Sequence, residues 1–518
     1  MSLTTRRAEG TPRLLLVAVV LVAAFCVLPL AYVFLDTLSL GWSAAYELIV
    51  RPKVGRLLTT TVALTVFGVL TSAVLGTALA LLVARTTLPG RAVWNVLLAA
   101  PLAVPAFVTS YGWVSLTPQV ASFPGALLVL TLAYYPLVYL PVVATLSGLD
   151  PALEETAQAL GLSQAKVFLR VVLPQLRPAL LGGGLLVGLH LLSEYGALQL
   201  LRVETFTIAI FDSYQSSFDG PSSSTLAAVL LVLCGVLLTV ELRARGLHRY
   251  ARVGSGAARE QQRQRLGRGR VPSQLGVAAV VALALGVPAY SLGRWLVVGG
   301  STRFPAADLL GTTVTSLGLG ALAALATTLC ALPVALLSVR YRNPLTSALE
   351  RTSYLSNALP GIVVALALVS VSLRFVSPTY QTTGLLVAAY VLLFLPRSVI
   401  SLRAGLAQAP VELDDVAHGL GLGTLATLRR VTLPLIARGM GVGAALVFLG
   451  TVTELTATLL LAPLGTATLA TEFWAQSSQV QYGAAAPYAV LMVLVSVPAT
   501  LLLSRSPSRH AQSAALLR

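Results

Sequence analysis

The sequence predicts an all-α, polytopic membrane protein of about twelve spanning helices, arranged as two parallel repeats of six. Three observations predict it. Of 518 residues, 56% are hydrophobic and 10% charged, with a mean hydropathy of +0.84, whereas soluble domains carry roughly 25% charged residues. The apolar residues gather in charge-free runs, and a helix crossing the bilayer core needs about 20 of them. The polar interior residues recur at one offset, as Glu155 and Asp415 do, 260 residues apart.

In chain order, Leu14 to Leu35 and Leu57 to Ala84 are uninterrupted spans. Ala92 to Leu149 is too long for one, and Thr117-Pro118 with Ser122-Phe123-Pro124 divides it in two. Pro178 to Leu201, broken only by Glu194, and Gly220 to Val240 complete the first six. The second half supplies Val271 to Gly293, Leu309 to Val339, Thr352 to Leu373, Phe375 to Pro396, Gly439 to Thr471 with Glu454 inside it, and the end of Phe473 to Ser504. The first stretch, behind Arg6, Arg7 and Arg13, is about 22 residues long and has no A-x-A-like cleavage site, so it reads as a retained span and not a secretory signal.

Lys+Arg 35 against Asp+Glu 19 gives a net charge of +16. With the N-terminus in the cytoplasm, Arg51, Lys53, Arg56, Arg202, Arg294, Arg303 and Arg374 face outward, leaving 28 of the 35 basic residues inside. That bias follows the positive-inside rule and predicts both termini in the cytoplasm. Residues 1–242 form the first repeat and 271–518 the second, with cytoplasmic segments at 150–177 and 410–438. Between them, 243–270 is an arginine-rich stretch, too polar to pack and too charged to insert, and is expected to be a cytoplasmic linker.

Several chemistries are excluded or disfavoured. Lysine occurs only at Lys53 and Lys166, neither in a GxxxxGK[ST] frame, so the chain has no Walker A phosphate cradle. It contains no HExxH or GxSxG, and its four histidines, His190, His248, His418 and His510, are scattered, which argues against a membrane-embedded enzyme. Cys26, Cys234 and Cys330 lie in apolar runs without metal-ligand or disulfide spacing and are expected in the core.

The internal repeat pairs Leu153-Glu154-Glu155-Thr156-Ala157 with Leu413-Asp414-Asp415-Val416-Ala417, Leu160-Gly161-Leu162 with Leu420-Gly421-Leu422, Arg170-Val171 with Arg430-Val431, and Leu173-Pro174 with Leu433-Pro434. Pro136 and Pro396, and Glu194 and Glu454, keep the same register. An even number of spans per half puts both copies on one side of the membrane, as parallel repeats about the membrane normal. In each copy, carboxylates begin a helix, a glycine turns the chain, and a second helix (Gln164 to Val172 in the first) is expected to end at the Leu-Pro before the membrane is re-entered. Two such helix-turn-helix units tethered between spans cannot easily match an operator spacing, which sets DNA binding aside. Loop closure alone would not demand the duplicated carboxylate, glycine and Leu-Pro, so a docking surface for a soluble partner is the better reading.

Glu155-Thr156-Ala157, Gly161 and Val171-Val172-Leu173-Pro174 resemble the EAA loop of permease subunits of binding-protein-dependent ABC importers. Asp415-Val416-Ala417, Gly421 and Val431-Thr432-Leu433-Pro434 repeat it, with Thr156 and Val416 in place of the central alanine and Asp415 in place of the glutamate. Tyr135 to Leu140, Leu149 to Glu155, Glu194-Tyr195-Gly196-Ala197 with Thr205-Phe206-Thr207, and Gly465 to Ala470 resemble fused, two-halved ferric iron permeases in particular. The resemblance implies a type I permease fold in a bacterial inner membrane, surrounded by lipid. It implies two ATP-binding cassette subunits docked on coupling helices at Glu154, Glu155, Ala157, Leu160, Gly161 and Pro174, and at Asp414, Asp415, Ala417, Leu420, Gly421 and Pro434. An extracytoplasmic substrate-binding protein would deliver cargo. ATP and Mg would belong to the partner ATPase, with no cofactor on this chain and no nucleic acid among its partners. Ferric iron is the implied cargo, with thiamine, sulfate, polyamine and phosphonate as alternatives on the same scaffold. A six-plus-six secondary transporter would share the parallel repeats and intramembrane carboxylates but would not need the duplicated loops.

Glu194 and Glu454 lie about 16 to 20 residues beyond their Leu-Pro turns, toward the outer part of the fifth span of each half. Intramembrane carboxylates usually face a bundle interior or a wet cavity. With Tyr195 and His190 they are candidate pathway residues, offering hard oxygen contacts suited to Fe3+. The alternative is that each is satisfied by a neighbour such as Ser193 or Thr453 and holds helices together. His190, four residues before Glu194, is expected on the same helical face, and no firm metal-ligand set is evident. Gly184 and Gly188, and Gly439 and Gly443, have the spacing that lets helices pack closely.

Overall fold

The computed structural model describes residues 12–217, 220–245, 263–302, 304–341 and 343–505. Most of the predicted linker, with His248, falls outside the described residues, as do Arg6, Arg7, Arg303 and His510. Among the described residues the chain is helical, and its one β-type pairing is an isolated bridge between Thr86 and Gln264.

Eight of the described helices are long and apolar enough to cross a membrane: Arg13–Ser39, Pro52–Arg85, Gln164–Ser193, Gly220–Ala244, Gly267–Val298, Ala306–Arg340, Thr383–Gln408 and Thr424–Val452. Two bent pairs raise the number to ten, and the shorter apolar helices Gly361–Phe375 and Tyr482–Val497 lie at the two remaining expected positions. Two of the expected straight spans are interrupted at an extended residue before a proline. Arg91–Ala103 meets Ala106–Leu116 at 92°, because Val104 precedes Pro105 and is forced into an extended conformation (φ −103°, ψ 121°). Leu359, before Pro360, is extended in the same way (φ −86°, ψ 119°) and separates Pro344–Leu355 from Gly361–Phe375.

The Leu-Pro pairs also act differently from the expectation. Pro174 and Pro434 do not end a helix. Each follows one π-helical turn, Phe168–Val172 and Leu428–Thr432, and the helix continues as Leu173–Ser193 and Leu433–Val452. A proline ring clashes with the carbonyl four residues back and has no N–H to offer it. A wider turn relieves that clash, and in the first copy the Gln175 side-chain amide donates to the Val171 carbonyl at 2.8 Å. Each copy of the duplicated segment is therefore continuous with a helix long and apolar enough to cross a membrane.

Contacts divide the chain into two compact units that cut across the sequence halves. One gathers Thr37–Phe304 and Phe473–Val493; the other holds the first span up to Asp36, Pro305–Glu472 and the chain from Leu494. In the second unit Asp36, only 1% exposed, accepts from Arg374 at 2.8 Å and from the Tyr32 hydroxyl at 3.2 Å, fixing the first span to Gly361–Phe375. In the first unit, Phe473 packs its ring 5.4 Å from Phe107 and 5.3 Å from Tyr111, whose hydroxyl donates to the Tyr482 carbonyl. Such aromatic pairs add about 0.5–1.5 kcal/mol beyond area burial.

Small residues let the cores close. A Cβ on Gly183 would lie 2.8 Å from the Leu137 carbonyl, one on Gly188 2.6 Å from Leu237, and one on Gly439 2.9 Å from the Ser401 carbonyl. Cys26 and Cys234 are buried and Cys330 is half-buried.

Candidate functional site

The first copy of the duplicated segment begins with Asp150, whose carboxylate accepts from the Ala152 N–H at 3.0 Å and caps the helix Pro151–Ala159. The second copy, Glu412–Gly419, carries Glu412, Asp414 and Asp415 in its first turn, where the helix dipole favours negative charge. Both helices end in the same Schellman turn. Gly161 N–H donates to Gln158 O and Leu162 N–H to Ala157 O, at 2.9 and 3.1 Å; Gly421 and Leu422 donate to His418 O and Ala417 O at 2.9 and 3.0 Å. The turning residue must be left-handed, and Gly161 and Gly421 have φ of +86° and +85°. The four-residue spacing from Ala157 to Gly161 is thus the geometry of one helix end. Ala157 and Ala417 are buried beneath it, while Leu160 and Leu420 are 79% and 78% exposed.

The adjacent carboxylates divide their roles. Glu154 and Asp414 are half-buried and face inward, Glu154 to Arg85 at 2.8 Å and Asp414 to Arg340 at 3.0 Å. Asp414 also accepts from the Thr432 hydroxyl at 3.1 Å, and Arg340 donates to the Ala409 carbonyl at 3.3 Å. Glu155 and Asp415 are exposed on the helices Pro151–Ala159 and Glu412–Gly419. Arg85 and Arg340, the cations that clamp each segment to a spanning helix, are absent from the sequence-derived site. The available signal was a lone basic residue closing each of the long apolar helices Pro52–Arg85 and Ala306–Arg340.

Glu194 and Glu454 each lie at a break in the fifth span. Leu173–Ser193 stops one residue before Glu194 (φ −71°, ψ 125°), and a short helix Gly196–Leu200 follows. Glu194 accepts from the Ala197 N–H at 3.0 Å and from the Tyr134 hydroxyl at 2.5 Å, while its carbonyl accepts from Thr207 at 2.7 Å. The carboxylate therefore caps the next helix, and the expected face shared with His190 ends at the break. Both residues nevertheless converge on Tyr134, whose ring is 5.3 Å from that of His190. Tyr195 is buried, its ring 4.5 Å from Phe211 and 5.5 Å from Trp474.

In the second half Leu433–Val452 ends before Glu454, and Glu454 accepts from the Ala457 N–H at 2.8 Å, capping Thr456–Leu461. Thr458 donates to the Glu454 carbonyl at 2.9 Å. The surroundings differ from those of Glu194. Phe394 stands where Tyr134 does, Gly450 where His190 does, and Arg397 where Leu137 does. Arg397 lies over the Phe394 ring at 5.0 Å and within electrostatic reach of Glu454. Ser193 and Thr453, the expected neighbours, donate instead to carbonyls of their own helices. Among the described residues, no group of three or more histidine, cysteine, aspartate or glutamate side chains is arranged to hold a metal ion.

The family described as "Binding-protein-dependent transport system inner membrane component" matches this chain twice, over residues 76–244 and 327–509. The chain belongs to this family. Each match contains one copy of the duplicated segment and one helix break, so this inner-membrane transport component carries the whole arrangement twice. It is 38% identical over 495 residues to the Fe(3+)-transport system permease protein FbpB 2 of Haemophilus influenzae, covering 95% of this chain and 98% of that protein. It is 24% identical to the ferric transport system permease protein FbpB of Actinobacillus pleuropneumoniae over 93% of this chain and 76% of that one. The sulfate transport system permease protein CysT of Salmonella typhimurium is 28% identical over 42% of this chain and 86% of its own length.

Proposed function

We propose that this chain is the permease of an ATP-driven importer for ferric iron, forming the translocation pathway and taking work from two separate ATP-binding cassette subunits. The single observation that carries the coupling role is the duplicated capped helix and left-handed glycine turn, each presenting an exposed leucine and an exposed carboxylate. ATP and Mg2+ belong to the partner subunits in this reading, and an extracytoplasmic binding protein brings the cargo. Both coupling segments and both termini face the cytoplasm. Iron is favoured because the ferric relatives align with both halves, whereas the sulfate relative covers one.

In the same reading the two helix breaks lie along the pathway, with Glu194, Tyr195 and Glu454 at them and His190 beside the first. A carboxylate at that depth is costly and usually marks a substrate route. The reading is tested by reconstituting the chain with its ATPase subunits and adding binding protein loaded with Fe3+ or with sulfate. Stimulated ATP turnover and uptake with Fe3+ alone is expected. Stimulation by sulfate alone would overturn the iron assignment, and uptake that persists without the ATPase subunits would overturn the coupling role.

A further inference from the structure

The two arginine clamps are unequal. In the second half, Arg340 meets Asp414 and the Ala409 carbonyl, and Thr432 adds a hydroxyl to Asp414. In the first half, Arg85 meets Glu154, its buried Nη1 makes no hydrogen bond where Nη1 of Arg340 reaches the Ala409 carbonyl, and Val172 occupies the position of Thr432; the Nε of both arginines is unpaired. The first clamp therefore lacks two of the polar contacts that hold the second.

What the first clamp has in their place comes from the far end of the linker. Gln264 N–H donates to the Arg85 carbonyl at 2.9 Å, and Thr87 N–H donates to the Gln264 carbonyl at 3.0 Å. This is the parallel bridge between Thr86 and Gln264. Gln264 also lines a cavity of about 590 Å³ together with Arg85, Glu154, Gln158, Gln164 and Phe168, so the linker end borders both the spanning helix and the coupling segment.

We propose that the chain around Gln264 is a strap that completes the first clamp, making the end of the linker a working part of the first coupling site and not merely a tether between halves. The strap fixes the residue that holds Glu154, and so restrains the helix Pro151–Ala159 that the proposed function assigns to ATPase docking. Its functional consequence rests on that assignment; its mechanical consequence does not. The contacts are main-chain, so the glutamine side chain is dispensable and the N–H is not.

Hydrogen exchange on the full chain in lipid nanodiscs tests the strap directly. Q264P removes one N–H donor and should speed amide exchange across residues 152–162 by about fivefold to tenfold, the worth of one such bond. Residues 412–422 should be unchanged, and Q264A should match the unaltered chain. T87P removes the other donor and should act like Q264P; Thr86 is already extended, as the residue before a proline must be. Adding V172T, which supplies the hydroxyl of the second clamp, should slow exchange again in Q264P. Unchanged exchange at 152–162 in both proline variants, or an equal rise at 412–422, would overturn the strap. In the assembled importer, Q264P should lower binding-protein-stimulated ATP turnover while Q264A leaves it intact. Faster exchange with unchanged turnover would sink the docking assignment and leave the strap standing.

Discussion

At Gly161 and Gly421 the chain turns with φ values one degree apart, over the same pair of hydrogen bonds and beside leucines of nearly equal exposure. At Glu194 and Glu454 the backbone breaks in the same way, yet the side chains around it differ: tyrosine and histidine in one half, phenylalanine, glycine and arginine in the other. The contrast separates two demands on a duplicated protein. Under the proposed function, a surface that meets two copies of one partner keeps one shape in both places. The walls of a single pathway would need only to fit the cargo together, leaving each half free to change its share.

The largest effect should come from the clamps. R340M strands a half-buried carboxylate and a loop carbonyl, and should cost about 2–3 kcal/mol, less than the roughly 3–5 kcal/mol of a fully buried pair because Asp414 is partly solvated. R85M should cost less, since the strap remains; thermal unfolding in nanodiscs measures both. Equal losses would break the inequality drawn between the two halves.

Next come the breaks. Y134F removes a hydrogen bond to a carboxylate, worth about 1.5–3 kcal/mol, and gives the first half the ring that the second already has. If the halves have diverged, the variant should slow uptake by tenfold or more. Unimpaired uptake would make the two breaks equivalent. E194Q and E454Q test the pathway role itself, because glutamine keeps the N-cap acceptor while removing the charge; full uptake by the double variant would reduce both residues to helix caps.

The smallest effects should be at the turns. G161A and G421A each place a Cβ on a left-handed residue, at about 1 kcal/mol, and the two should agree within error. A difference would contradict the identity of the two glycine turns.

How much of this was legible in the sequence varies with the range of the interaction. The glycine turn was legible because Ala157 and Gly161 belong to a single helix end, and local spacing fixes local geometry. Pro174 was misread because a proline usually ends a helix, and the π turn that accommodates it leaves no residue signature. The breaks at Glu194 and Glu454 looked like charges on a continuous helix, since a run of apolar residues does not reveal where its backbone departs from α geometry. Arg85 and Arg340 stand out in the sequence only as basic residues at span ends, and their carboxylate partners, about 70 residues away in sequence, are joined to them only by tertiary packing. The grouping of the first span with the second half was invisible for the same reason: hydropathy identifies a span but not its neighbours.

The coupling claim is tested most directly by disulfide trapping with L160C and L420C, two exposed positions that the fold does not need. Each variant, paired in turn with cysteines placed across the surface of the ATP-binding subunit, should cross-link to it, at the same site on that subunit for both positions and with a yield that changes on adding ATP. If neither position cross-links anywhere on the subunit while uptake still consumes ATP, these two segments are not where the work enters.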